Sequence, residues 1–175
     1  MKTLSSRIVY QNRWMTVRED DIQRPDGSQG IYGVVDKPDF AVIAAIAQGQ
    51  VYLVEQYRYP IQARRWELPQ GSWGSGSGSA LDLARTELRE ETGIMAQKMQ
   101  HIARLHEAYG YSTQAFDVFL ATDLTQGKQD LELEEQDLIC RAFPIEEAVK
   151  MICEGVITDA VTVAAFGMLR LKTLT

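Results

Sequence analysis

Apolar and polar positions along the chain divide it into strand-like runs followed by helical ones. Residues 7–10 and 14–23 read as strands, with Trp14, Val17 and Ile22 supplying apolar contacts. Pro25-Asp26-Gly27 is a strong turn signal, and 31–35 reads as the returning strand. A unit this small is not stable alone and must pack on something else. The continuous apolar run at 41–47 suits a strand buried on both faces. A turn at 48–50 leads into its hairpin partner at 51–58, which Pro60 ends. Residues 66–69 form a short extended piece, since Pro69 steers Leu68 away from the helical region. The glycine- and serine-rich stretch 71–79 reads as a loop.

Residues 79–94 then read as one short helix. Ser79 caps it with Asp82 three residues on, and Gly93 stops it. Leu81, Ala84 and Leu88 make its apolar stripe. Strands are expected at 98–106, with His101 and His106 as strand residues, at 115–121 and at 138–143, with a polar, acidic loop at 127–135. Pro144 opens a helix that Gly155 closes, and 159–171 is a last amphipathic helix. Its expected packing face is Ala160, Val163, Ala164 and Met168 or Gly167. The order predicts an α/β (α+β) domain with a mixed sheet between helices.

Charge gives the predicted helix its interest. Glu87, Glu90 and Glu91 fall within an arc of about 100° beside the apolar stripe. Arg85 and Arg89 lie nearly opposite, where they are not expected to neutralise the cluster. Glu87 and Glu91 repel at i, i+4 by roughly 0.2–0.5 kcal/mol. Acid in the last turn opposes the helix dipole at roughly 0.3–1 kcal/mol per charge. A hard divalent cation would answer both costs, since Mg²⁺ prefers oxygen ligands. A solvated acidic face is the bland alternative.

The remaining composition excludes several classes. The chain has 175 residues, 45% hydrophobic and 24% charged, with net charge −6. No basic block marks a nucleic-acid or membrane surface. Cys140 and Cys153 lack metal-ligand spacing and read as two buried free thiols in a reducing compartment. The first residues lack an apolar signal core and no run approaches membrane-spanning length, so a cytoplasmic location is expected.

Three segments together resemble the Nudix hydrolase family. They are Gln56-Tyr57-Arg58 with Trp66-Glu67-Leu68-Pro69-Gln70-Gly71, then Glu87-Leu88-Arg89-Glu90-Glu91-Thr92-Gly93-Ile94, and finally Gly155, Ile157 and Asp159-Ala160. The last is similar to the ADP-ribose pyrophosphatase branch. The resemblance implies an α/β/α sandwich over residues 38–175. Residues 1–37 would be a small N-terminal antiparallel unit that forms a homodimer. It implies Mg²⁺ or Mn²⁺ held by Glu87, Glu90, Glu91 and the Gln70 carbonyl. Glu67 and Arg58 would help bind substrate. Tyr109 would stand where the branch carries a proline, placed to stack on a base or ribose. The implied substrate is a nucleoside diphosphate joined to another group, ADP-ribose or a nucleotide sugar. The general base would come from the acidic stretch at 131–138, with Glu135 favoured and Glu134 second, ahead of Glu132 and Asp137. The chain departs from the family pattern at two places. Gly78 (Ser77, counted forward from Gly71) stands where a glutamate is usual, and Thr86 where an arginine usually orients a metal carboxylate. A binding or regulatory module with weak catalysis is therefore the alternative.

Overall fold

A computed structural model describes residues 1–73, 78–131 and 135–174. The first three strands, β1 (Lys2–Gln11), β2 (Thr16–Gln23) and β3 (Gln29–Asp36), form an antiparallel sheet in that order. β1 is longer than the apolar pattern suggests, and all ten of its residues are exposed. Polar cross-strand pairs carry it instead: Ser5 and Ser6 donate to Asp21 and Asp20, and Arg7 pairs with Glu19. Trp14, expected to supply apolar contacts, lies exposed, with the Arg13 guanidinium 4.1 Å above its ring.

The second sheet has seven strands. They are β4 (Phe40–Ala47), β5 (Gln50–Arg58), β6 (Ala63–Glu67), β7 (Gln70–Ser72), β8 (Ile94–His106), β9 (Ala115–Gln126) and β10 (Ile139–Pro144). The main path runs β10-β5-β4-β9-β8, with β6 on β5 and β7 on β4. β4 pairs parallel with β9 and the other pairings are antiparallel, so the sheet is mixed. The alternation of β4 decides the layering. Val42 and Ala44 face one cluster with Ala148, Val161, Ala165, Phe166 and Leu169. Those residues belong to α2 (Ile145–Cys153) and α3 (Ala160–Leu171). Ala41, Ile43 and Ala45 face the other, against Leu83, Ala84 and Leu88 of α1 (Ala80–Thr92). Helices thus cover both faces of one sheet, the expected α/β/α sandwich. Burying each of the larger of these side chains, such as Ile43, Leu88 and Leu169, contributes about 1.5–3 kcal/mol.

Some packing faces differ from expectation. α1 buries Leu83 with Ala84 and Leu88, while Leu81 packs only partly buried against the same cluster. α3 buries Val161, Thr162, Ala165, Phe166 and Leu169, with Ala164 and Met168 packed partly buried beside them, while Val163 is exposed. Cys140 is half-buried and Cys153 exposed rather than both buried.

The two sheets are stitched together beside the core. The Val35 amide donates to the Tyr111 carbonyl (2.8 Å), and the Thr113 amide to the Val35 carbonyl (3.0 Å). Tyr32 Oη donates to the Gly110 carbonyl (2.6 Å). The loop between β8 and β9 is therefore held by β3.

Candidate active site

α1 is fixed at both ends. Ser79 Oγ accepts from the Asp82 amide (3.1 Å) and the Asp82 carboxylate accepts from the Ser79 amide (3.3 Å), completing the box. Gly93 closes the helix at φ 73°, a conformation glycine adopts without strain. The segment after β9 then lies against that end. The Asp130 amide donates to the Glu90 carbonyl (3.0 Å) and Gly127 to the Gly93 carbonyl (2.8 Å). The side chains of Gln129 and Gln126 donate to the carbonyls of Glu91 (2.5 Å) and Thr92 (3.0 Å). These donors satisfy carbonyls that the helix leaves open. They also offset part of the unfavourable field that carboxylates in a last turn experience.

Glu91 is the deepest of the three helix glutamates, with no exposed surface. Its Oε2 accepts from the Gln70 amide (3.0 Å), while its Oε1 is buried without a hydrogen-bond partner among the described residues. Burial first, and then the charges of Glu135, Glu87 and Glu67, hold its carboxyl well above the ordinary glutamate range. The same carboxylate, behind burial, pushes the Cys140 thiol up to about 11. Glu87 sits against Gly71, where an added methyl would collide with its carboxylate. Glu90 receives a bond from Arg89 (3.1 Å), so Arg89 does reach a helix glutamate, contrary to the helical-wheel expectation. Neighbouring side chains on a helix can meet by bending back along its surface even when their Cβ atoms diverge.

Glu67, at the end of β6, is buried and fully engaged. Gln56 Nε2 donates to its Oε1 (2.9 Å), and Arg58 reaches both oxygens, Nε at 3.2 Å. Burial raises the Glu67 pKa, while Arg58 works in the opposite direction. Arg58 is thereby held over a cavity of about 530 Å³ with Glu67, Gln70, Arg65, Lys37, Glu107, Gln114 and Asp159 in its wall. Asp159 caps α3 through the Thr162 amide (2.8 Å) and also approaches the Gln70 side chain (3.4 Å). Arg65, Lys37, Gln114 and Glu107 were not singled out in the sequence. Arg65 alone had a signal there, in its place just before the Trp66–Gly71 motif.

The candidates divide into two groups. Gln70, Glu67, Arg58, Glu87, Glu91 and Glu135 converge on one corner, between the end of α1 and β6–β7. Tyr109 does not join them: it is 85% exposed on the loop between β8 and β9, outside the cavity wall. Glu132, Glu134 and Ser77 lie outside the described residues. Gly78 is within them and packs against Trp73.

Among the described residues no three acidic, histidine or cysteine side chains already form a ready metal cluster. The donor set nevertheless fits a hard divalent cation. Glu91 Oε1 is an acceptor with nothing to accept, three further carboxylates act on it, and every candidate ligand is oxygen. No described helix is long and apolar enough to cross a membrane.

Residues 36–165 match the NUDIX domain model. Residues 1–35 match the model of the nucleoside diphosphate sugar hydrolase N-terminal domain. The chain is 33% identical over 168 residues to an ADP-ribose pyrophosphatase of Mycobacterium tuberculosis (strain ATCC 25618 / H37Rv), covering 93% of this chain and 80% of the relative. It is 28% identical over 173 residues to an ADP-ribose pyrophosphatase of Bacillus subtilis (strain 168), covering 98% and 93%. The fold superposes on a crystal structure of an ADP compounds hydrolase with a TM-score of 0.86, at 20% identity over 99% of this chain and 96% of that one.

Proposed function

Because the chain belongs to the Nudix hydrolase family, we propose that it cleaves the pyrophosphate of ADP-ribose or a related nucleotide sugar. The products are a nucleoside monophosphate and a sugar phosphate. The observation that carries this reading is Glu91: a fully buried carboxylate with one unpartnered oxygen, beside a cavity walled by Arg58, Arg65 and Lys37. Structural acids are seldom left so.

Glu87, Glu90, Glu91 and the Gln70 carbonyl would hold Mg²⁺, with Mn²⁺ as a substitute. When bound, such a cation neutralises phosphate charge and makes a water more acidic. The chain's own residues do the rest. Arg58, braced by Glu67, and Arg65 offer guanidinium groups to the phosphates, a geometry suited to oxyanions. Glu135 takes the proton of the attacking water; Glu134 is the second candidate. The water oxygen forms a bond to one phosphorus as the bridging P–O bond breaks, and the departing phosphate keeps the bridging oxygen. The electrostatic coupling of Glu135 to Glu91 supports this choice of base.

A homodimer through the N-terminal sheet belongs to the same reading, supported by β1, which exposes Ile8, Val9 and Tyr10 along an uncovered edge. The free cysteines fit a reducing, cytoplasmic setting. A second reading, a nucleotide-binding regulator with weak turnover, is favoured by one observation: Thr86 and Gly78 supply neither arginine nor carboxylate. Incubation with ADP-ribose and Mg²⁺, followed by product identification, separates the two. AMP and ribose 5-phosphate are expected; tight binding without hydrolysis supports the regulator instead.

A further inference from the structure

Gln114 stands at the start of β9, in the cavity wall, and is only 4% exposed. Its Nε2 donates to the Pro38 carbonyl (2.7 Å). That bond fixes the amide orientation, since the reversed amide would set two acceptors face to face. Oε1 is left buried and without a hydrogen-bond partner among the described residues. Such an acceptor is destabilising until a donor arrives.

The neighbourhood narrows what that donor is. The Glu107 amide donates to the Gln114 carbonyl (3.2 Å), so the two residues are clamped together, and Glu107 lines the same wall. The unpartnered Gln114 acceptor, on a residue bonded to the acid Glu107, does not suit phosphate oxygens, which carry no proton to give near neutral pH. Phosphates belong with Arg58 and Arg65, elsewhere in that wall. A sugar carries several hydroxyls, each able to donate, and Lys37 in the same wall can donate back to a hydroxyl oxygen. The site is also braced from outside. The loop that precedes Gln114 is tied to β3 through Val35, Tyr111 and Thr113, and Pro38 lies just after β3.

We infer that Gln114, with Glu107, is a specificity-determining pair that reads hydroxyls on the group joined to the nucleoside diphosphate. The pair selects sugar-bearing substrates over those without hydroxyls at that end. This rests on the pyrophosphohydrolase reading above. A purine amino group is the other available donor, and the test separates the two.

The experiment measures kcat/KM for ADP-ribose and for the methyl ester of ADP, which has the same base and pyrophosphate but no second sugar. It uses the full chain, Gln114→Met and Glu107→Ala. Selectivity for ADP-ribose over the methyl ester should fall about tenfold or more in Gln114→Met, as expected for losing a hydrogen bond from a buried polar group. It should fall about threefold in Glu107→Ala. Glu107 is exposed, so that variant decides the matter if Gln114→Met does not fold. Equal loss on both substrates means that the pair reads the base or only supports the fold, and it overturns the inference. An unchanged ratio in both variants overturns it too. Hydrolysis of neither substrate by the wild-type chain would instead overturn the functional reading on which it rests.

Discussion

Glu91 concentrates the chemistry in one carboxyl group. Its folded-state pKa is raised, so the fold favours the protonated form. The stability that this preference brings is complete below the ordinary glutamate value of 4.5 and is lost as pH rises through the raised value. In metal-free protein, ionising this buried carboxyl therefore costs stability as pH rises. Glu91→Gln should melt higher than wild type above that value, by the equivalent of about 1–3 kcal/mol, with the gap closing in acid. Thermal melts in chelator across pH check this; a variant that is less stable at neutral pH contradicts it. Gly71 matters at the same scale. Gly71→Ala would drive a methyl into the Glu87 carboxylate, so metal affinity measured by calorimetry should weaken about tenfold or more, while the metal-free melting point moves far less. Unaltered affinity would remove Glu87 from the ligand set.

At the scale of elements, α1 is the platform, and its caps set its stability. Ser79→Ala removes the hydroxyl that accepts from the Asp82 amide, leaving only the bond from the Ser79 amide to the Asp82 carboxylate, and should cost about 1 kcal/mol in urea unfolding with KM little changed. A loss under a few tenths would mean that the helix start is held by packing alone. Much of this element was legible in the chain. Serine, aspartate and glycine at 79, 82 and 93 gave its bounds, and three glutamates gave its chemistry. Its surroundings were not legible. The donors from Gly127, Gln129 and Asp130 come from a segment nearly forty residues away, and no local period announces them. Arg65 and Gln114 were hidden similarly, since only the pairing of β6 with β5 and of β4 with β9 brings them to one cavity. The buried faces of α1 and α3 shifted by a residue or two, because amphipathic reading fixes a face only to within one side chain on short helices. β1 went partly unread because its strand is sustained by serine, arginine and acid pairs rather than by apolar alternation.

Across the whole molecule, the three-stranded sheet is bound to the catalytic body by backbone bonds at Val35 yet leaves β1 bare. An uncovered edge strand of this length, with Ile8, Val9 and Tyr10 exposed, invites a second chain. Ile8→Asp with Val9→Asp should convert a dimer into a monomer in light scattering at micromolar concentration; a wild-type chain that is already monomeric there contradicts the dimer. The sandwich itself was predictable from the order of strands and helices. The pairing of a parallel β4–β9 contact with antiparallel neighbours was not, since it depends on a crossover through α1 and β8. That crossover sets the C-terminal end of α1 beside β7, so Gln70 can donate to Glu91, and the corner of the site follows from the topology.

The central claim is that the carboxylates at the end of α1 hold a divalent cation for cleavage of a nucleoside diphosphate derivative. The most direct measurement incubates ADP-ribose with wild type, Glu90→Gln and Glu91→Gln over a range of Mg²⁺ concentrations and identifies the products. The account predicts AMP and ribose 5-phosphate from wild type only with metal present, and a fall in kcat/KM of a hundredfold or more, about 2.7 kcal/mol or more, in each variant. Turnover that persists in both variants, or that proceeds equally without metal, would contradict it.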